Sequence, residues 1–290
     1  MGGNHGGPGR TLGIITLVVS AVLGATFLIG RNLVPDPPRH GSNVTATGAD
    51  HPEYADQSAP STEESGADAS PTPRPAEPTP PDAPGDDPDV GPMGTRVSTG
   101  GAEVALTFDD GPNPDYTPQI LAILREFHVT ATFCVVGQNA EAYPWLVQQI
   151  VAEGHTLCNH SWDHDVTLGS RSPQRIQSDL LRTNAAIRAA APEAPIAWYR
   201  QPGGAWTYPV INVARELGMT PLHWTLDTSD WQLPGATNIT ASVLAGVRPG
   251  SIVLMHDAGG NRQGTVNAVY RMLPKLTGRF DVRALPKRGM

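Results

Sequence analysis

Followed along the chain, apolar and polar positions fall into three stretches of different character. Residues Thr11 to Gly30, TLGIITLVVSAVLGATFLIG, form an unbroken apolar run without a charge, bounded by Arg10 and Arg31. At about 1.5 Å per residue, that run is long enough to cross a bilayer as a helix. A cleaved signal peptide has a shorter apolar core and a clear small-x-small site, and LGA at Leu23 to Ala25 is a poor one. The run therefore reads as an uncleaved membrane anchor behind a short cytoplasmic tail of residues 1–10, with secretion as the alternative if it is cut. Residues 31–98 invert the pattern, being rich in Pro, Ser, Thr, Asp and Glu and nearly free of large apolar side chains. Such a segment cannot offset its chain entropy by burial and is expected to be a disordered linker. As a flexible coil it spans about 45 Å.

From residue 99 to 290 the pattern changes again. Apolar runs at Val104 to Phe108, Ala131 to Val136, Ile196 to Tyr199 and Ile252 to Met255 predict strands. Between them, helical spacing appears at Thr117 to Phe127, Pro144 to Glu153, Pro173 to Ala190 and Val210 to Leu217. Strands alternating with helices place this region in the α/β class, as a parallel sheet or barrel whose site lies at the carboxyl ends of the strands.

Composition adds little except by exclusion. Much of the net charge of −8 lies in the linker, so it says little about what the domain binds. No basic patch with interleaved aromatics is present, and nucleic acid is excluded as a partner. The two cysteines, Cys134 and Cys158, fall in or beside strands. Outside the membrane an even pair suggests a disulfide, and two buried free thiols are the alternative; the sequence leaves both open.

The chemistry is concentrated where strands end. At Leu106 to Asn113, LTFDDGPN, two adjacent carboxylates close an apolar run, a pairing most easily tolerated beside a cation; a Gly-Pro turn with a spare surface Asp is the plain alternative. In GHTLCNHSWDH, His160 and His164 stand four apart, so on a helical turn both rings face one side and can share a cation, with Ser161 near enough to brace a ring or the loop. With one aspartate they make a candidate Asp-His-His set that leaves positions open, as a catalytic metal site requires. His155 and Asp163 fit that spacing less well. Three further fragments, YRQPGGAW at 199–206, LDTSDWQ at 226–232 and IVLMHDAGG at 252–260, stand where later strands end.

Taken in order, TFDDG, HSWDH, RQPGG, DTSDW and LMH resemble the motifs of the polysaccharide deacetylases of carbohydrate esterase family 4, the NodB homology domain. The resemblance covers residue 101 to the C-terminus and implies a distorted (β/α) barrel. It also implies metal-dependent removal of acetyl groups from acetylated sugars, N-acetylglucosamine in a cell-wall polysaccharide or chitooligosaccharide foremost. Carried over residue by residue, it makes Asp109 the general base, and Asp110, His160 and His164 the ligands of a divalent ion, zinc foremost with cobalt or nickel as alternatives. Arg200 pairs with the base, His256 is the general acid and Asp230 its partner. Trp231 and Leu254 line the pocket for the acetyl methyl group. Gly203 stands where many members carry Tyr; its backbone N–H remains for the oxyanion, and Trp206 is a candidate replacement for the missing ring. The expected partners are an acetylated glycan and, through the anchor, a membrane, with the protein acting as a monomer. An acetylxylan esterase and a non-catalytic glycan-binding protein are the alternatives.

Overall fold

The computed structural model describes residues 1–3 and 87–288. The expected anchor of residues 11–30 and residues 31–86 of the expected linker lie outside the described residues. Among the described residues, no helix is long and apolar enough to cross a membrane. The chain divides into units Met1–Arg74 and Pro75–Met290, and every element described below belongs to the second.

Seven strands form one parallel sheet: β1 Ala105–Asp109, β2 Thr132–Val135, β3 Thr156–Asn159, β4 Ile196–Tyr199, β5 Thr220–Pro221, β6 Leu226–Asp227 and β7 Ile252–His256. The helices between and after them are α1 Thr117–Glu126, α2 Gly137–Ala142, α3 Pro144–Ala152, α4 Pro173–Ala190, α5 Tyr208–Glu216, α6 Ala236–Gly246 and α7 Gln263–Thr277. The four strands and four helices expected from periodicity are present with ends shifted by at most a few residues. The short strands β3, β5 and β6 and the helices α2, α6 and α7 were not read from the pattern.

The strand order is β5-β4-β3-β2-β1-β7-β6, the circular order of a barrel opened at one seam. The expected distorted barrel is thus a half-barrel. The chain between β5 and β6, residues 222–225, explains the opening, because parallel neighbours need a crossover of about a dozen residues. Residues 96–98 run along this seam. Arg96 bridges Leu222, and the Thr225 hydroxyl donates to the Val97 carbonyl at 2.5 Å. These residues fall inside the expected linker, yet Thr95 is fully buried and Arg96 pairs with Asp89 at 3.1 Å.

Alternation along the strands separates two faces. Leu106, Phe108, Phe133, Val135, Leu157, Val253 and Met255 pack in the large cluster with the helices. Ala105, Cys134, Cys158 and Ile252 point into a smaller cluster with Trp198, Leu222 and Leu285. The period of two therefore puts Thr107, Asp109, Leu254 and His256 on this second face. Cys134 and Cys158, paired in register on β2 and β3, are joined in a disulfide.

Candidate active site

The carboxyl ends of the strands open into a cleft of ≈ 490 Å³. Asp109 and His256 stand directly opposite each other in the β1–β7 register. Beyond Asp109 the backbone leaves the strand: Asp110 has φ 76°, in the left-handed region, and a cis Gly111–Pro112 bond follows. Aspartate is among the residues that tolerate this conformation best. The turn is held from outside, because Asn139 Nδ2 donates to the Asp110 carbonyl at 2.7 Å and the Val136 N–H to the Gly111 carbonyl at 2.9 Å.

His160 and His164 do not share a helical turn, contrary to the reading of their spacing. They lie in a loop after β3 in which Ser161 and His164 have φ of 64° and 59°. Side chains take up the N–H groups that a helix would use: Asn159 Oδ1 accepts from Ser161, and Asp179 Oδ1 accepts from Trp162, each at 2.9 Å. Asn159 is anchored in turn by the Leu180 carbonyl and Asn184 on α4. The loop still brings the rings together, with centroids 5.1 Å apart. Ser161 braces nothing through its side chain, since its buried hydroxyl has no partner. His155 sits at the start of β3, where its Nδ1 accepts the Ala131 N–H at 3.1 Å; burial holds its pKa down to about 4. Neither it nor the exposed Asp163 joins the cluster.

Ligand atoms of Asp110, His160 and His164 all lie within 4.8 Å of one another. Asp110 Oδ1 is 3.5 Å from His160 Nε2 and 3.3 Å from His164 Nε2. This oxygen is buried without a hydrogen-bond partner, which is costly unless a cation satisfies it. His160 Nδ1 lies 2.8 Å from the Arg200 carbonyl, which only accepts, so Nδ1 carries the hydrogen and Nε2 is left as a donor atom for a metal. Burial disfavours a charged His160, but Asp109 and Asp110 more than offset it and raise its proton affinity. Burial likewise opposes the charge on Asp110, yet His160 and the other imidazoles hold its carboxyl below the usual range. The donor set, its excess of negative charge and the orphaned oxygen fit a divalent cation.

Around this cluster the remaining expected residues assemble. Arg200 is fully buried and donates to Asp109 Oδ1 at 2.7 Å, to Thr107 Oγ1 at 2.8 Å and to the carbonyls of Leu222 and His223. Asp109 Oδ2 is left 3.7 Å from His160 Nε2. His256 Nδ1 faces Asp230 Oδ1 at 2.7 Å. Burial works against an imidazolium there, and the hydrogen bond and charge of Asp230 more than offset it, so the His256 pKa is raised. Asp230 also accepts from the His256 N–H and the Thr265 hydroxyl, and its pKa is lowered despite burial. Gly203, Trp231 and Leu254 all line the cleft, Leu254 buried and Trp231 52% exposed.

Trp206 does not replace the missing ring. It is buried against Tyr199 and donates from Nε1 to His223 Nδ1 at 3.0 Å. Burial and the nearby Arg200 hold the His223 pKa down to about 4, as suits an acceptor. His223 in turn stacks on Trp224, with ring centroids 3.9 Å apart, and it is Trp224 that lines the cleft beside Gly203 and Gly204. Gln201, Asp227 and Gly259, which lie in the quoted fragments without an assigned role, also line the cleft, as do Trp224 and Arg262, which were missed in the sequence. The signal for Gln201, Asp227 and Gly259 was their place inside the strand-end fragments; Trp224 and Arg262 carried none.

A family model described as polysaccharide deacetylase matches residues 96–222. A chitooligosaccharide deacetylase of Sinorhizobium fredii is 40% identical over 203 residues, covering 66% of this chain and 94% of that protein. Among solved structures, a peptidoglycan N-acetylglucosamine deacetylase bound to a hydroxamate-type benzamide superposes with a TM-score of 0.63 at 35% identity, covering 67% of this chain and 91% of the other. A family 4 pseudoenzyme from Bacillus anthracis superposes at 0.61 with 28% identity, covering 70% of this chain and 72% of the other. With its catalytic-domain geometry and this extent of similarity, the chain belongs to the polysaccharide deacetylase family.

Proposed function

We propose that the protein is a metal-dependent N-deacetylase of N-acetylglucosamine units in a cell-wall polysaccharide or chitooligosaccharide. The observation that carries this reading is the meeting of two charge systems in one cleft: Arg200–Asp109 beside the Asp110, His160, His164 cluster, and Asp230–His256 facing it. Asp110, His160 and His164 would hold a divalent ion, zinc foremost. When bound, the ion supplies Lewis acidity, polarising the acetyl carbonyl and making a water molecule easier to deprotonate.

The residues of the chain divide the proton work. Arg200 occupies Asp109 Oδ1 and orients the carboxylate, leaving Oδ2 to take a proton from the attacking water. The water oxygen bonds to the acetyl carbon and the amide C–N bond breaks. His256, its Nδ1 held by Asp230, donates a proton from Nε2 to the departing amine. Leu254 and Trp231 offer apolar surface to the acetyl methyl group. The backbone at Gly203 is assigned to the oxyanion.

An acetylxylan esterase is the second reading, because the same groups cleave an ester. The pseudoenzyme-like alternative is disfavoured by the orphaned oxygen of Asp110 and the buried Arg200–Asp109 pair, which are costly features for a passive binding surface. Acetate release by the full chain from peptidoglycan, chitooligosaccharides and acetylated xylan, before and after chelation, is the test. Release that is strongest on the N-acetylated sugars and stops with chelation is expected; no release from any of them sinks the enzyme reading.

We place the domain outside the cell membrane, tethered by residues 11–30. The Cys134–Cys158 disulfide supports this, since such bonds persist in oxidising compartments. Action as a monomer is part of the same proposal, to be checked by the mass of the protein in solution. Protection of the domain from added protease in intact spheroplasts counts against the outward placement.

A further inference from the structure

Asp257 has no part in the proton transfers, does not line the cleft and is 1% exposed. Burying a carboxyl group is costly, so its partners show what it holds. Oδ1 accepts the Gly111 N–H at 3.1 Å, and Oδ2 accepts the Thr117 hydroxyl at 2.5 Å. Its own N–H donates to the Asp109 carbonyl at 3.1 Å. A Cβ on Gly111 would lie 2.2 Å from Oδ2, so only glycine admits the carboxylate this close.

We propose that Asp257 is a positioning residue that fixes the metal ligand Asp110 relative to the general acid His256. This rests on the deacetylase reading of the site. Asp257 follows His256 on the chain, and Gly111 follows Asp110, so its carboxylate ties the residue after the acid to the residue after the ligand. The other two groups that hold the Asp110–Gly111 turn, Asn139 and the Val136 N–H, come from α2 and from the chain after β2. Asp257 is the side chain that grips the turn from the β7 side. Asp110 is held in a left-handed conformation that an L-residue adopts at a cost, so the turn depends on such external partners. Without the grip, the only β7-side tie left is the backbone bond to the Asp109 carbonyl. The hydrogen bonds on the Asp110–Gly111 turn itself then come from the β2 side alone, and the Asp110 carboxylate can shift away from His160 and His164.

The full-length chain is compared with its Asp257→Ala and Asp257→Asn forms. Zinc affinity is read by chelator competition, ligand geometry by the visible spectrum of bound cobalt, and acetate release and Tm are measured alongside. Loss of a partner behind a ligand typically weakens metal binding on the order of 10- to 100-fold, and that is expected of Asp257→Ala together with an altered cobalt spectrum. Asp257→Asn keeps an acceptor for Gly111 but turns an NH2 toward Thr117, so it should lose less than Ala while remaining measurably weaker than the parent. A folded Asp257→Ala protein with parental zinc affinity overturns the proposal, however far its Tm has fallen, because a purely structural role predicts that result. If Asp257→Ala does not fold, the Asn form decides, and parental affinity with a parental cobalt spectrum overturns it. The binding measurements need no substrate. A parent that binds zinc but releases no acetate therefore refutes the deacetylase reading separately.

Discussion

Replacing Arg200 by Met removes a buried charge while keeping most of the side-chain length, and the structure indicates what that costs. Arg200 is 0% and Asp109 3% exposed, and they meet at 2.7 Å. Removing one partner of a buried pair leaves the other charge uncompensated, at about 3–5 kcal/mol. The carbonyls of Leu222 and His223 and the Thr107 hydroxyl lose their donor as well. His160 Nε2, 3.7 Å from Asp109 Oδ2, offers partial relief, which places the expected loss near the low end, about 3 kcal/mol. Urea unfolding of metal-free protein, followed by tryptophan fluorescence, measures it for Arg200→Met, Asp109→Asn and the double variant. In the double variant no unpaired charge is left, so the losses should not add; contacting pairs couple by about 0.5–3 kcal/mol. Arg200→Lys should fall between parent and Met, since one ammonium cannot span the acceptors that the guanidinium fork reaches. A single-variant loss below about 1 kcal/mol, or strictly additive losses, would refute the claim that this pair is a buried, mutually dependent unit.

Asp109→Asn should keep its metal and lose turnover by roughly 10²-fold or more, whereas Asp110→Ala should lose metal first and recover in part with excess ion; elemental analysis and acetate release on both separate the roles. His256→Ala should slow amide substrates more than activated esters, because an amine leaves poorly without a proton, and equal losses on the two would remove the acid role. As the proposed general acid His256 has to be protonated, and against the opposing effect of burial Asp230 raises its pKa, so activity on amides should be lost as pH rises through that raised value. Asp230→Asn should shift this alkaline limb to lower pH, and an unmoved limb in the pH–rate profile counts against the pairing. Reducing Cys134–Cys158, which spans a sequence separation of 24, releases a loop worth roughly 3.5 kcal/mol on the chain-entropy model. Unfolding curves with and without reductant should differ by that order, and superimposable curves would show that the link does not constrain the unfolded chain.

Most of the frame was legible because it rests on period and length. Strands β1, β2, β4 and β7 are apolar runs buried on both faces, and α1, α3, α4 and α5 carry clear apolar stripes. The shortest strands and the seam escaped for physical reasons. Strands β5 and β6 are two residues long, too short to show alternation. The opened seam depends on the short segment 222–225 and on residues 96–98, whose linker-like composition conceals their bridges to Leu222 and Ser251. The motif residues were legible through their order along the chain. Trp224 and Asp257 were not, because their roles follow from what they touch: Trp224 is set by stacking on His223, and Asp257 by a glycine far away in sequence.

The adjacent aspartates show how the strand rule and its breakdown act together. In a strand, neighbouring side chains point to opposite faces, so Asp109 and Asp110 in a continuing β1 would have faced away from each other. Alternation places Asp109 on the face shared with Thr107, where Arg200 reaches both. The left-handed turn at Asp110, directly after the last strand residue Asp109, then brings the second carboxylate back to the same cleft. The result is visible at one atom: His160 Nε2 lies 3.7 Å from Asp109 Oδ2 and 3.5 Å from Asp110 Oδ1. The same device recurs at the left-handed Ser161 and His164, which turn a stretch following β3 into a pair of converging imidazoles. In both places the local conformation is one that isolated chains disfavour, and hydrogen bonds to the side chains of Asn139, Asn159, Asp179 and Asp257 hold it. The geometry proposed to bind a cation is therefore a property of those supporting side chains as much as of Asp110, His160 and His164.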